Sequence, residues 1–577
     1  MTQKHIKVKI TRIKKGGIMD AMPEDNLEKF APLFPELSLS PEEKYQIEPF
    51  FTNLERSVFV VPFLPPEMIG ALCSRTSRAK EDLRMIFLNE FIKPFLADKS
   101  EYSEALSSLV EFLHKYPLEL IFSNPKGREF YIKWLAQYGD DSIAQMAGTH
   151  LLFSGISQIA IKHFEDMRVG IAPLEKSTRY LDYSSKVNGK YLYYADPTLA
   201  EMGLMDEYRT AMDNLFDTYA LLGKEFLEFL KKKYPDEKEL VLKTKAFDTL
   251  RGLLPTAALS QVVFFANGQA LEYALSRSLK HPLGEIRWAA DAAFHELTRV
   301  VPAFLRRLES DASKEYQEYL AGRGARIREV VKELKLDANV DKSEWGVKLV
   351  EYDKDGENKI LAALLYPETH EPFEKILGKV VKLSEEEKEQ LLARAIRGRT
   401  ARWYKIPRAF EMANVAFEIT MNIGAWRDIH RHRMQTQMRQ RFSVHHGYHV
   451  PEELIEAKLD NKFRAAIEKV EGVFYKIESK DKNLAQYAVT LAHRLRFLQR
   501  QNMRAFMWES ELRTIPTGHP DYRKIEQEKV KLIREVYPLL GKFILADMQD
   551  YAFARRDTQS EIEKKEQELR DYFEKLK

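Results

Sequence analysis

Residues 411–433 read EMANVAFEITMNIGAWRDIHRHR, and an earlier stretch, residues 145–169, reads QMAGTHLLFSGISQIAIKHFEDMRV. Both open on the same kind of triplet, Glu411-Met412-Ala413 and Gln145-Met146-Ala147. They close on Arg431-His432-Arg433 and Met167-Arg168-Val169, with a slip of two residues between them. The order of landmarks then continues in parallel. Asn267 and Asn502 each end a long apolar run that reads as helical, and His281-Pro282 and His519-Pro520 follow. Low identity with conserved order is the mark of an old internal duplication. Two homologous domains are expected, 55–320 and 340–577, with a connector at 321–339. The N-terminal extension 1–54 is mixed, contains prolines and stays unassigned.

Periodicity fills in the units. Val58 to Leu64 reads as a short buried strand, followed by helical patterns over Pro66–Leu96 and Ser103–Lys115. Ser142 to Arg168 carries apolar residues at three-to-four spacing, interrupted by Gly155. Further helical stretches run from Lys245 to Leu279 and from Gly284 past Leu308. Ser310 to Asp341 reads as exposed helix and connector, broken near Gly322 and Gly324. Val347 to Tyr352 alternates like a strand, and Asp353-Lys354-Asp355-Gly356 is turn chemistry. Glu371-Pro372-Phe373 opens a helix, and Ser384 with Glu387 three residues on is an N-cap signature. Each unit should be α+β, a small mostly antiparallel sheet flanked by long helices.

The chain has 577 residues, 44% hydrophobic and 31% charged, with a net charge of +3. That is room for two domains with sizeable cores. The near balance of charge argues against a dedicated nucleic-acid binder. The single cysteine, Cys73, forms no internal disulfide and follows the apolar run Met68-Ile69-Gly70-Ala71-Leu72, so a buried structural thiol and a reducing compartment are expected. With no run of about 18 apolar residues and no apolar core behind the basic stretch Met1–Lys15, a cytoplasmic protein without a membrane partner is expected.

On a helix or at its end, adjacent side chains point in different directions. A planar guanidinium there can grip a carbonyl, a phosphate or a flavin edge through two parallel donors. Arg431-His432-Arg433 alone also reads as part of a solvated basic patch, since Arg427, Arg439 and Arg441 lie close by. Its context is more specific. Pro407-Arg408-Ala409-Phe410-Glu411, Phe417-Glu418-Ile419 and Arg431-His432-Arg433, in that order, resemble the flavin-dependent thymidylate synthase family. That family carries G-H-x-S-x-x-E-H, then R-H-R, seven residues and S-x-R, and later an Arg followed by N-x-R and a terminal L-R.

The halves depart from this signature in opposite ways. The second keeps Arg431-His432-Arg433, Asn502, Arg504 and Leu512-Arg513, but has Arg439, Arg441 and Ser443 in place of the Glu, Ser and Arg of the loop, and Gln486 at the earlier arginine. The first keeps Glu175-Lys176-Ser177-Thr178-Arg179-Tyr180, Arg251 and Asn267, but has Met167-Arg168-Val169 for R-H-R and Ser278 for the terminal arginine. In the family these two sets come from different subunits of a tetramer and meet at one site. The resemblance therefore implies one complementary set here. Glu175, Ser177, Arg179 and Arg251 of the first half would bind substrate, with Arg431 and Arg513 of the second. Arg431, His432, Arg433, Asn267 and Asn502 would bind cofactor, and Arg513, beside the base, would be catalytic.

The implied reaction is reductive methylation of dUMP to dTMP with FAD, NADPH and methylenetetrahydrofolate, and the implied assembly is a homodimer equivalent to the family's tetramer. Reduced flavin carries hydride, so no protein nucleophile is needed. Arg168, in the half that lost R-H-R, is expected to do little. Three departures stand against the pattern. Met146 and Met412 replace the histidine of the family's E-H pair. Asp428 replaces a glutamine and could repel phosphate. Tyr273 and Trp508 replace the second asparagine of the late helix.

Two other classes remain open: a flavin- or nucleotide-binding homologue without methylation activity, and an RNA binder using Arg427 to Arg441, which the charge balance disfavours. His445, His446 and His449, with His430 and His432, are close enough in sequence for a metal, but no cysteine or well-placed carboxylate completes a ligand set, and no metal is expected. No phosphate-binding glycine loop occurs.

Overall fold

A computed structural model describes residues 26–97, 101–116, 126, 129–130, 133, 141–336, 344–554 and 558–576. Its frame is two four-stranded sheets. The first holds β1 (Val58–Val61), β2 (Gly148–Ser157), β3 (Ile171–Glu175) and β4 (Leu259–Asn267), in the order β1-β2-β4-β3. The second holds β5 (Gly346–Tyr352), β6 (Asn414–Asn422), β7 (Thr436–Arg439) and β8 (Arg494–Asn502), in the order β5-β6-β8-β7. All pairings are antiparallel, and the registers correspond: Gly148 faces Asn267 in one sheet, Asn414 faces Asn502 in the other. The architecture is α+β in two tandem units, as the sequence implies.

The helices that bear on the site are α1 (Gln158–Glu165), α2 (Met205–Lys233), α3 (Glu239–Leu250), α4 (Gly268–Ser278), α5 (Gly284–Thr298) and α6 (Asp311–Glu333), then α7 (Glu385–Ala395), α8 (Ile423–Ile429), α9 (Asp460–Glu478), α10 (Met503–Arg513) and α11 (Pro520–Val536). The repeat is visible in how strands hand over to helices. Ser157 and Asn422 end β2 and β6 and cap α1 and α8, their side chains accepting the N–H of Ala160 and Ala425. Asn267 and Asn502 do the same after β4 and β8, accepting from Ala270 and Ala505. A short polar side chain with extended backbone satisfies one of the orphan donors of a helix start.

This corrects the reading of the late apolar runs. Asn267 and Asn502 do not end helices; they end strands and begin helices. For Asn267 the reason lies in β2 and β4, which are covered on both faces. Leu151, Phe153, Val262 and Phe264 face the main core. Leu152 and Val263 face a second core with Phe59 and Val61, under the N-terminal segment. A strand buried on both sides loses its two-residue alternation and reads like a buried helix. The same cover explains the middle of Ser142–Arg168, where strand β2, with a register shift between Phe153 and Ile156 beside Gly155, runs between two helical stretches.

Two further expectations change. Helix α6 runs unbroken through Gly322 and Gly324, since a helical glycine costs only about 1 kcal/mol relative to alanine. His519 caps α11 directly, whereas His281 lies two residues before the cap of α5. The imidazoles make the same local turn, accepting from Leu283 and Asp521, but the helices start out of step.

The second core is built mainly from residues such as Ile47, Leu72, Leu83 and Phe87. Cys73 is buried there, and burial pushes its thiol up to about 11, so it is an inert packing group. The two halves share one main core. They cross where Thr256 N–H donates to Val489 O (2.8 Å), Leu491 N–H to Leu254 O (2.9 Å) and Ala492 N–H to Gly252 O (2.9 Å). Helix α2 packs on α9 beside this crossing. Among the described residues no helix is long and apolar enough to cross a membrane.

Candidate active site

The first-half loop begins where β3 ends. Glu175 is buried, pairing with Lys162 at 2.8 Å and with Arg427 of α8, so it faces a buried ion-pair network between the halves. Ser177 N–H donates to Ser77 O, and its Oγ accepts the Arg179 N–H at 3.2 Å. Arg179 grips Asp248 of α3 through two parallel bonds of 2.6 Å each. Burial opposes the guanidinium charge, but Asp248 outweighs it and holds the arginine protonated. Arg251, at the end of α3, lies 3.5 Å from Asp428 through Nη1, and its Nη2 is buried without a hydrogen-bond partner. Room for this side chain comes from Gly424, where a Cβ would stand 3.3 Å from Arg251 Nε.

The R-H-R triplet follows the C-terminus of α8. Arg431 lies 3.8 Å from Asp428. His432 Nε2 accepts from Arg513 Nε at 2.7 Å, and Arg433 donates to the Ile171 carbonyl of the first half. Burial drives the His432 imidazole down to about 3, with Arg513, Lys529 and Arg168 adding to the shift against Glu509, so the ring is neutral and free to accept. Beneath it Lys529 pairs with Glu509 (2.9 Å) and Glu526 (2.8 Å), all three fully buried.

Arg168 is not the bystander expected of it. It reaches across from the first half and donates to the carbonyls of His430 and His432, fixing the turn that carries the triplet. Its left-handed backbone, φ 61°, aims it there at the end of α1.

These residues surround one carboxylate. Burial disfavours the charged form of Asp428, but Arg431, Arg251, Arg513 and Arg179 outweigh it and hold its pKa below the ordinary carboxylate range. Two arginines come from each half. They do not share one cleft: Arg251 opens onto one and Arg431 and Arg513 onto another with no lining residue in common, while Glu175, Ser177 and Arg179 line neither. Arg251 lines a cleft of about 630 Å³ with Asp248, His449 and His519. Arg431, His432, Arg433, Asn502 and Arg513 line another of about 880 Å³. Asn267 occupies the equivalent of Asn502 in the first half and lines neither.

The pseudo-equivalent place is chemically different. His163 and Ser278 stand where Asp428 and Arg513 stand, linked at 2.9 Å, and burial with Arg277 drives His163 down to about 3. Gln486, in Arg251's place, accepts from the Phe442 N–H. Arg439 pairs with Asp166 at 3.2 Å. The five histidines near the triplet go to separate partners, among them Glu478 for His445 (2.8 Å) and Asp166 for His430 (2.8 Å). Among the described residues no three potential ligands converge on a metal site.

Sequence reasoning missed Asp248 and the role of Arg168. Asp248 precedes Arg251 by three residues on a helix, and nothing in that spacing says it will face Arg179. It also passed over Arg394 to Arg408, whose six cations without an acid were a readable signal.

The profile of the thymidylate synthase complementing protein family matches residues 99–303 and 348–539, one segment in each unit. A UPF0159 protein of Chlamydia muridarum is 34% identical over 515 residues, 88% of this chain and 94% of that protein. Another from Chlamydia pneumoniae is 33% identical over 87% of this chain and 94% of its own length. One from Thermoplasma acidophilum is 27% identical over 84% and 96%. These matches span both units. The chain belongs to the thymidylate synthase complementing protein family.

Proposed function

We propose that this chain is a flavin-dependent thymidylate synthase, methylating dUMP to dTMP at a composite site between its halves. The observation that carries the reading is that Arg251 of one half and Arg431 of the other both lie against Asp428, at 3.5 and 3.8 Å, with Arg179 and Arg513 adding to the positive field there. The pseudo-equivalent position holds the neutral pair His163 and Ser278.

The larger cleft fits a flavin dinucleotide. It is lined by eight arginines and one lysine against a single carboxylate, Glu411. Arg168 Nε, on its wall, is buried without a partner. An excess of fixed cations around a cavity of this size suits an anionic cofactor. Arg431, His432, Arg433 and Asn502 would hold FAD, which when bound and reduced by NADPH supplies hydride, while methylenetetrahydrofolate supplies the carbon.

Ser177, Arg179 and Arg251 would hold the nucleotide phosphate, in competition with Asp248 and Asp428. Neutral His432 fixes Arg513 Nε and so fixes the plane of the guanidinium. A cation held in this way stabilises negative charge developing on the pyrimidine without reorganising. By the pseudo-symmetry of the halves, the assembly proposed is a homodimer of four such units. Thymidylate-auxotroph rescue tests the function. Growth with the wild-type chain and none with Arg513→Ala supports it; a yellow protein that never rescues would leave only a flavin binder.

A further inference from the structure

From the last turn of α7 to Arg408, ahead of β6, the chain carries Arg394, Arg397, Arg399, Arg402, Lys405 and Arg408 with no acid among them. They divide into two groups. Arg399 is fixed by the buried carboxylate of Glu511 at 2.5 Å, and Arg408 by Glu411 at 2.9 Å. Arg394, Arg397, Arg402 and Lys405 have no ion-pair partner among the described residues.

Two of the second group, Arg402 and Lys405, lie beside aromatic rings. Lys405 Nζ is 2.9 Å from the centroid of Trp508, and Arg402 is 5.9 Å from it. Trp403 is 65% exposed and Tyr404 49% exposed. Arg402 and Lys405 line the R-H-R cleft, so this strip forms its rim. Partial burial, then Arg504 and Arg402, lower the pKa of Lys405, so the cations at the rim repel one another.

Unneutralised cations beside exposed rings suit a ligand with flat aromatic groups and a string of anions. Two classes have that chemistry: a single-stranded nucleic acid and a folate with several glutamates. A nucleic acid would draw on a longer basic surface. The next basic segment does not extend the strip, because Arg427 and Arg439 are turned inward onto Glu175 and Asp166.

We propose that residues 394–408 form a subsite for the γ-linked polyglutamate tail of a folate co-substrate. The tail carboxylates meet Arg394, Arg397, Arg402 and Lys405, and Trp403 and Tyr404 flank the p-aminobenzoyl group where the tail begins. This rests on the methyl-transfer reading above, which supplies folate as a ligand, and adds to it a preference for long tails.

The test compares folic acid with its pentaglutamate, each titrated into the FAD-reconstituted full chain, with dT12 as a third probe. The pentaglutamate should bind about ten-fold more tightly than the monoglutamate, the sum of a few half-exposed ion pairs. That gain should vanish in 0.5 M NaCl, where screening acts over a few ångströms. It should also vanish in Arg397→Gln/Arg402→Gln, while the circular dichroism stays that of the wild type. The readout is the ratio of the two folate affinities, which a general loss of folding or of FAD would lower for both alike. Equal affinity for the two folates overturns the tail subsite and leaves the methylation reading standing. If the chain binds neither folate nor FAD, both fall. Tighter binding of dT12 than of the pentaglutamate, lost in the same variant, overturns it in favour of nucleic acid.

Discussion

The proposed composite site and its pseudo-equivalent are built from the same elements in the same order, yet where one has the charged residues Asp428 and Arg513 the other has the neutral pair His163 and Ser278. At the first, α8 and α10 end in Asp428, Arg431 and Arg513, facing Arg179 and Arg251. At the second, α1 and α4 end in His163, Met167 and Ser278. A fused pair of units needs only one working site per pair of faces, and once both faces are in one chain each can specialise. In an unfused homo-oligomer every site would carry every substitution, so losses of this kind could not be divided.

The largest effect that could break this comparison is at Arg513. Arg513→Ala should lower kcat by about 100- to 1000-fold, the scale for one donor aimed at developing charge, while Ser278→Ala at the equivalent, buried position should leave kcat within about two-fold because no developing charge is assigned to it. Equal losses in a steady-state assay would mean that both sites work.

Arg179→Ala comes next and acts twice. Losing a charge-assisted bond to phosphate should weaken dUMP binding by about ten- to a hundred-fold. Leaving Asp248 buried and unpaired should cost about 3–5 kcal/mol of stability. The double variant Arg179→Ala/Asp248→Ala should recover most of the stability and none of the binding. Recovery of both, by thermal melts and calorimetry, would rule out a phosphate role.

Asp428→Asn sharpens the comparison from the other side. It removes the carboxylate that competes with phosphate for Arg251 and Arg431, so dUMP should bind about ten-fold more tightly. Weaker binding would mean that Asp428 contacts the nucleotide or holds the arginines in place. Arg168→Ala, which unties the triplet from the first half, should reduce FAD occupancy by about two- to five-fold, the scale of one hydrogen bond. Unchanged absorbance at the flavin bands would return Arg168 to a bystander.

The smallest effect concerns a carboxyl buried where the two halves meet. Burial raises Glu285 to about 7 despite donors from Ser157 and Tyr487. The folded chain therefore binds more protons there than the unfolded one between the ordinary carboxylate pKa and 7, so this group's contribution to stability is present at low pH and lost as pH rises through 7. His163 and His432, both lowered to about 3, act with the opposite sign and lose stability as pH falls below 6.5. In melts across pH, Glu285→Gln should gain on the wild type progressively between the ordinary carboxylate pKa and 7, by about 1 kcal/mol per pH unit, and hold that gain unchanged above 7. A gain that is flat with pH would place the proton elsewhere.

Much of this was legible in the chain. The duplication, the α+β class, the caps at Ser384 and the turn at Asp353–Gly356 follow from local chemistry, because caps and turns are decided within a few residues. The division of motifs between the halves was equally open to reading. The strand ending at Asn267 was hidden, because a second core covers the first sheet and erases its alternation, whereas the strand ending at Asn502 keeps its alternation of buried and open residues.

The sequence by itself determined that two units exist, that each retains what the other lost, and that the surviving set contains Arg179, Arg251, Arg431 and Arg513. Only the tertiary structure decided that Asp428 stands among these four, that Asp248 already fills the fork of Arg179, and that Arg168 crosses the interface to hold the triplet in place. The physical reason is range. Periodicity and capping act over one or two turns, whereas which charge a buried guanidinium meets depends on how two halves, hundreds of residues apart along the chain, bury one core between them.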